Sequence, residues 1–119
     1  RQSVLKAVRA THLLIINEFR RYVRIPIVVK LDGVVGMRHI TGSTNEVSGG
    51  GMSIRYNGSL TIGDEIQVAF DLPGQSGVKV RGSVCWLKPA ESSAGIRFEI
   101  EQPGREAVRK WIDEYLEIL

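Results

Sequence analysis

Two short stretches of the sequence carry side chains able to grip an anion or a purine. In the first, Arg20-Arg21-Tyr22-Val23-Arg24-Ile25-Pro26, Arg20 and Arg24 follow the spacing R-x-x-x-R. A guanidinium is a planar fork whose donors match two phosphate oxygens or the O6 and N7 edge of guanine, and its flat face stacks on a base. Arg20 and Arg24 can therefore clamp one guanylate, with Arg21 beside them. The second stretch, Glu46-Val47-Ser48-Gly49-Gly50-Gly51-Met52, sets a carboxylate and a hydroxyl ahead of three glycines. Glycine lets the backbone approach a ligand closely, so Gly50 and Gly51 can present amides to it. Glu46 and Ser48 supply side-chain hydrogen bonds from the same turn.

Other chemistries fit these residues less well. No G-K-S/T follows the glycines and they are not spaced G-x-G-x-x-G, which excludes a P-loop and a dinucleotide fingerprint. A hydrolase elbow, G-x-S-x-G, requires glycine where Glu46 stands. His12 and His39 have no cysteine or carboxylate pattern beside them, so no metal site is expected and both are assigned to the surface or a strand edge. Cys85 and Trp86 are expected to be packed residues, the thiol behaving as a small hydrophobe. With no nucleophile–base pair and no metal set, neither nucleophilic catalysis nor a bound cofactor is expected.

A chain of 119 residues is long enough for one domain with its own core. The single cysteine cannot form an internal disulfide, which suits a reducing cytoplasm, and the apolar run at residues 13–16 is far too short to span a bilayer. The chain opens on Arg1 with a mixed basic and apolar stretch, unlike a secretory leader, and an upstream segment is expected. Residues 1–40 carry eight Lys or Arg against Glu18 and Asp32, whereas from Glu91 onward seven acidic residues face four basic ones. An anionic ligand therefore favours the first third of the chain.

Alternation of apolar and polar residues marks short half-buried strands. Ile27, Val29 and Leu31 share one face; so do Met52, Ile54 and Tyr56, and Ile66, Val68 and Phe70. Val78, Val80, Val84 and Trp86 form another run, and Ala94, Ile96, Phe98 and Ile100 a further one, with an additional strand over residues 37–43. Turn residues fall at Asp32-Gly33, Asn57-Gly58, Gly63-Asp64, Pro73-Gly74 and Lys88-Pro89. The pattern predicts a barrel or a sandwich. At the end, Val108, Trp111, Ile112, Tyr115, Leu116 and Leu119 recur at helical spacing, and Pro103 suits the first turn of a helix. Residues 1–19 stay open between a linker and a helix.

Together the two motifs resemble the PilZ family, whose pattern is R-x-x-x-R followed one hairpin later by D/N-x-S-x-x-G; Arg20, Arg24, Ser48 and Gly51 match it. The resemblance continues through Leu60-Thr61-Ile62-Gly63-Asp64-Glu65-Ile66, Leu72-Pro73-Gly74, Val84-Cys85-Trp86 and Gly95-Ile96-Arg97-Phe98, and covers residues 20–119. It implies a six-stranded antiparallel β-barrel with a C-terminal α-helix, and a receptor for cyclic di-GMP that is not an enzyme. Carried onto this chain, the ligand-binding residues are Arg20, Arg21, Arg24, Glu46, Ser48, Gly50 and Gly51. The arginines are expected to lie on a flexible N-terminal linker that becomes ordered on binding and couples the domain to a protein partner or an adjoining domain. Glu46 departs from the family's Asp or Asn, with Asn45 beside it, and its longer arm leaves a second reading: a degenerate PilZ-like interaction module that binds no nucleotide. A nucleic-acid-binding barrel ranks last, because few aromatic residues fall at exposed strand positions.

Overall fold

The computed structural model of the chain describes residues 23–100 and 102–118. Residues 1–19, Arg20 and Arg21, with Phe19 and Tyr22, lie outside the described residues, as does Leu119. Seven strands follow in order: β1 (Ile25–Pro26), β2 (Lys30–Val35), β3 (Arg38–Val47), β4 (Gly51–Asn57), β5 (Glu65–Leu72), β6 (Gln75–Lys88) and β7 (Ser93–Phe98). Helix α1 (Pro103–Ile118) closes the chain. All pairings are antiparallel, and β3-β2-β5-β6-β7-β4 returns to β3, making a closed six-stranded barrel. Closure leaves no full-length unpaired edge, which suits short strands with one wet face.

The short β1 adds no seventh stave. It pairs Ile25 with Val47 and Pro26 with Glu46, beyond the point where β2 ends its pairing of Lys30 with Ser43. The two strands thus lie end to end along β3, interrupted at residues 27–29, and Thr44 bridges the interruption. Its hydroxyl accepts from the Val29 amide at 3.0 Å and donates to the Ile27 carbonyl. Its own amide donates to the Val29 carbonyl at 2.9 Å. Thr44 is fully buried, and these bonds satisfy the polar groups that the interruption would otherwise strand. The expected strand through Ile27, Val29 and Leu31 is therefore corrected: regular pairing begins two residues earlier and then breaks. Arg24 consequently adjoins a buried, paired residue rather than standing well clear of the barrel.

Two further expectations change. Asp32-Gly33 is no turn but the middle of β2, where a Cβ on Gly33 would lie 2.6 Å from the Ile40 side chain. The hairpin turns instead at Gly36-Met37, led by Gly36 at φ +62°, a conformation glycine adopts freely. β7 ends at Phe98, leaving Ile100 exposed. The turns at Asn57-Gly58, Gly63-Asp64 and Pro73-Gly74 stand as expected, with all three glycines at positive φ.

The core is filled by the inward residues, among them Ile25, Leu31, Ile40, Val47, Ile54, Val68, Val80, Ile96 and Phe98. Fully burying one such side chain contributes about 1.5–3 kcal/mol. From α1, Val108, Trp111 and Ile112 join the same cluster, so the apolar stripe is covered by the chain's own barrel. Tyr115 lies at the stripe's margin, more than a third exposed, with its ring 5.8 Å from that of Trp111. Among the described residues no helix is long and apolar enough to cross a membrane.

Candidate functional site

The outer face of the barrel over β4, β7 and the far end of β6 is where the alternation breaks. β3 carries a bulge at Asn45, between the pairs Thr44–Ile54 and Glu46–Ser53. β6 carries another at Cys85, between Val84–Ile96 and Trp86–Gly95. A bulge inserts one residue, bends its strand and re-aims the side chains that follow. In β6 it takes Trp86 out of the inward phase of Val78, Val80 and Val84, and leaves Cys85 exposed. Both residues are therefore corrected from the packed positions expected for them. The Cys85 thiol donates to the Gly95 carbonyl at 3.3 Å, while Trp86 is half-buried against Gly95, where a Cβ would come within 2.0 Å of the indole Nε1. His39, as expected, is exposed on β3.

These distortions shape a cleft of about 380 Å³, within the usual range of about 300–1,000 Å³ for small-molecule sites. Of the residues expected at a site, Arg24, Glu46, Ser48, Gly50 and Gly51 line it together; Arg20 and Arg21 lie outside the described residues. The bulge at Asn45 decides which acidic or amide side chain reaches the cleft. Glu46 stands across from Ser53 on its wall, whereas the Asn45 carbonyl accepts the Ile27 amide at 3.2 Å.

Each of the turn residues has a local reason for its type. The Ser48 hydroxyl donates to the Gly51 carbonyl at 3.0 Å and accepts from the Gly51 amide at 3.1 Å, and the Ser48 amide donates to the same carbonyl at 2.8 Å. Its first task is thus to close the β3–β4 hairpin, leaving one oxygen lone pair for anything else. Gly51 lies where β7 passes closest: a Cβ there would stand 2.3 Å from the Ile96 carbonyl oxygen. The Gly50 carbonyl accepts from the Phe98 amide at 3.0 Å, and the Gly49 carbonyl from Arg105 Nε, also at 3.0 Å.

The cleft is also lined by residues not singled out as site residues in the sequence: the buried Met52 and Ile96, and with them Ser53, Cys85, Trp86, Gly95 and Arg97. Arg97 alternates with the buried Ile96 and Phe98 and is exposed beside Gly51, its partner in the β4–β7 register. The alternation alone marks Arg97 as outward-facing, but its proximity to the turn depends on long-range pairing. The cleft therefore offers two guanidinium groups, a carboxylate and an indole. Forked donors suit phosphate or the guanine O6 and N7 edge, a carboxylate accepts from purine N1–H and N2 amino groups, and an indole provides a stacking surface. The Lys88 ammonium lies 5.5 Å from the Trp86 ring centroid and adds positive charge at the rim. Among the described residues no group of His, Cys, Asp and Glu could hold a metal ion.

The PilZ domain family model matches residues 18–117 of the chain. Among solved structures, the PilZ domain of CeSA from a cellulose-synthesizing bacterium superposes with a TM-score of 0.64 at 15% identity, covering 78% of this chain and 97% of that one. The Bacillus subtilis inhibitor of motility, MotI/DgrA, gives a TM-score of 0.61 at 16% identity, over 83% of this chain and 51% of that protein. At these identities the two structures speak for the fold. No curated protein sequence matches the chain.

Proposed function

The chain belongs to the PilZ domain family, and from that premise we propose that it is a receptor that binds cyclic di-GMP in the β4–β7 cleft and performs no chemistry on it. The observation that carries the reading is the convergence of Arg24, Glu46, Trp86 and Arg97 on one cleft beside the Ser48–Gly51 turn. Arg24 and Arg97 pair with phosphate or the guanine Hoogsteen edge, Glu46 accepts from the Watson–Crick edge, and Trp86 stacks on a base. Arg20 and Arg21 join them from the segment preceding β1. That segment reorders on binding and carries the signal to a partner or an adjoining domain, because ligand contacts made in only one arrangement bias the equilibrium towards it. The relatives are a domain of CeSA and an inhibitor of motility, and coupling of one binding domain to different outputs fits that range. The domain works in the cytoplasm and needs neither metal nor cofactor.

Calorimetric titration with cyclic di-GMP, with GMP and a single-stranded oligonucleotide as controls, tests the reading. Saturable binding of cyclic di-GMP, with GMP weaker and the oligonucleotide inert, is the expected result. No heat from cyclic di-GMP would leave the interaction module, in which the Glu46 side chain is too long for its task. Preference for the oligonucleotide would transfer the site to nucleic acid.

A further inference from the structure

The geometry points to Arg105 as a positioning residue that makes helix α1 and the ligand-binding turn move as one unit, so that α1 reads the state of the site. The consequence for ligand rests on the cyclic di-GMP reading; the mechanical link does not.

The three carbonyls of the glycine turn are held by three different elements. Gly51 is held by Ser48 within the hairpin, Gly50 by the Phe98 amide at the end of β7, and Gly49 by Arg105 in the first turn of α1. Arg105 is half-buried, and while its Nε donates to Gly49 at 3.0 Å its Nη1 donates to the Ile100 carbonyl at 2.9 Å. One planar fork thus ties the turn to the segment leading into the helix, a geometry that a single ammonium reproduces only in part. Gly49 itself lines no part of the cleft, but it stands between Ser48 and Gly50, which do.

The other end of the link is fixed to the barrel. The Gln102 side-chain amide accepts from the Arg81 amide at 2.6 Å and donates to the Arg81 carbonyl at 2.7 Å, extending the β6–β7 pairing past the end of β7. Gly104 meets β6 so closely that a Cβ would stand 1.7 Å from the Lys79 carbonyl oxygen. The first turn of α1 therefore has one seated position, and Arg105 transfers that position to the turn. Whatever stabilises the turn, a bound nucleotide included, favours the seated helix, and by linkage the seated helix favours the nucleotide. The C-terminal helix becomes a second output beside the segment preceding β1.

Amide hydrogen exchange of the parent, Arg105→Ala and Arg105→Lys, each free and with saturating cyclic di-GMP, tests the link. In the free protein Arg105→Ala should speed exchange at Ser48, Gly51 and Val108 about ten-fold, the scale of one charge-assisted hydrogen bond, with Val68 unchanged. Arg105→Lys should fall between. With ligand, the parent should gain protection at Val108, and Arg105→Ala should bind about ten-fold more weakly and, once saturated, show no such gain. Parent-like exchange at the turn in both variants overturns the inference, as does loosening spread equally to Val68, which marks a general stabilising role. Protection of Val108 by ligand in Arg105→Ala overturns it too. A parent that binds no cyclic di-GMP removes the proposed function instead, and the exchange of the free proteins still decides the link.

Discussion

One strand, β6, takes part in two quite different halves of the barrel. Against β5 its first part pairs without a break from Val78 to Ser83 with Phe70 to Glu65, the register shifting only beside the hairpin, between Phe70 and Leu72; inward Val78 and Val80 lie side by side with Phe70 and Val68 in the core. Against β7 its second part bulges at Cys85, and β3, on the far side of β4 from β7, bulges at Asn45. In that half Gly51, Gly82 and Gly95 each stand where a Cβ would come within 2.3 Å of a β7 carbonyl or the Trp86 ring. The regular half needs only the right pattern of apolar residues. The irregular half trades pattern for a particular surface, and the cleft lies there. Departures from local rules concentrate where a protein has something to hold.

The comparison breaks if stability and binding do not separate between the halves. Ile66→Ala, deep in the regular half, should lower unfolding free energy by about 3 kcal/mol in urea titration. The folded fraction should bind cyclic di-GMP with parental affinity. On the cleft side, Arg97→Ala or Arg24→Ala should cost about 2 kcal/mol of binding, roughly thirty-fold in Kd by calorimetry, with stability held within about 0.5 kcal/mol. Raised salt should shrink that penalty, since both groups are exposed and ion pairing there is screened.

Smaller effects sharpen the same contrast. Gly95→Ala should displace the Trp86 ring from its seat, and Trp86→Ala should remove it. Each is expected to weaken binding by about 1 kcal/mol, as the loss of one base-stacking surface does, with a small change in Tm. Glu46→Ala should weaken binding by about 1 kcal/mol. Glu46→Asp should tighten it by less, if the shorter arm places the carboxylate better. Should all four variants bind like the parent, the irregularities of this half serve the barrel and not a ligand.

The difference between the halves also explains what could be read from the sequence. Ile66, Val68 and Phe70, like Val78 and Val80, alternate cleanly, and period two suffices to place them. The motif residues Glu46, Ser48 and Gly51 were legible as a polar turn, but the tasks of Ser48 and Gly51 were not. Ser48 closes its own hairpin, and Gly51 yields to a β7 carbonyl that lies far along the chain. Trp86 and Cys85 were misplaced because one inserted residue reverses the phase of everything after it, and nothing in Val84-Cys85-Trp86 announces the insertion. Gly33 misled in the opposite sense: Asp-Gly is a common turn pair, and the Ile40 side chain that demands glycine there comes from the next strand. The alternation of Ile96 and Phe98 marks Arg97 only as outward-facing, since the register that brings it to Gly51 is a property of the closed barrel.

Trp86 offers the most direct test that the irregular face is the nucleotide site. The chain has two tryptophans, and Trp111 is buried on the inner face of α1, so Trp111→Phe leaves Trp86 as the sole indole reporter and keeps an aromatic ring in the core, at some cost in packing. Titrating this variant with cyclic di-GMP should change Trp86 emission saturably, with a midpoint equal to the calorimetric Kd, because a stacked guanine alters the indole's surroundings. Calorimetric binding accompanied by unchanged Trp86 emission would place the ligand elsewhere and contradict the account.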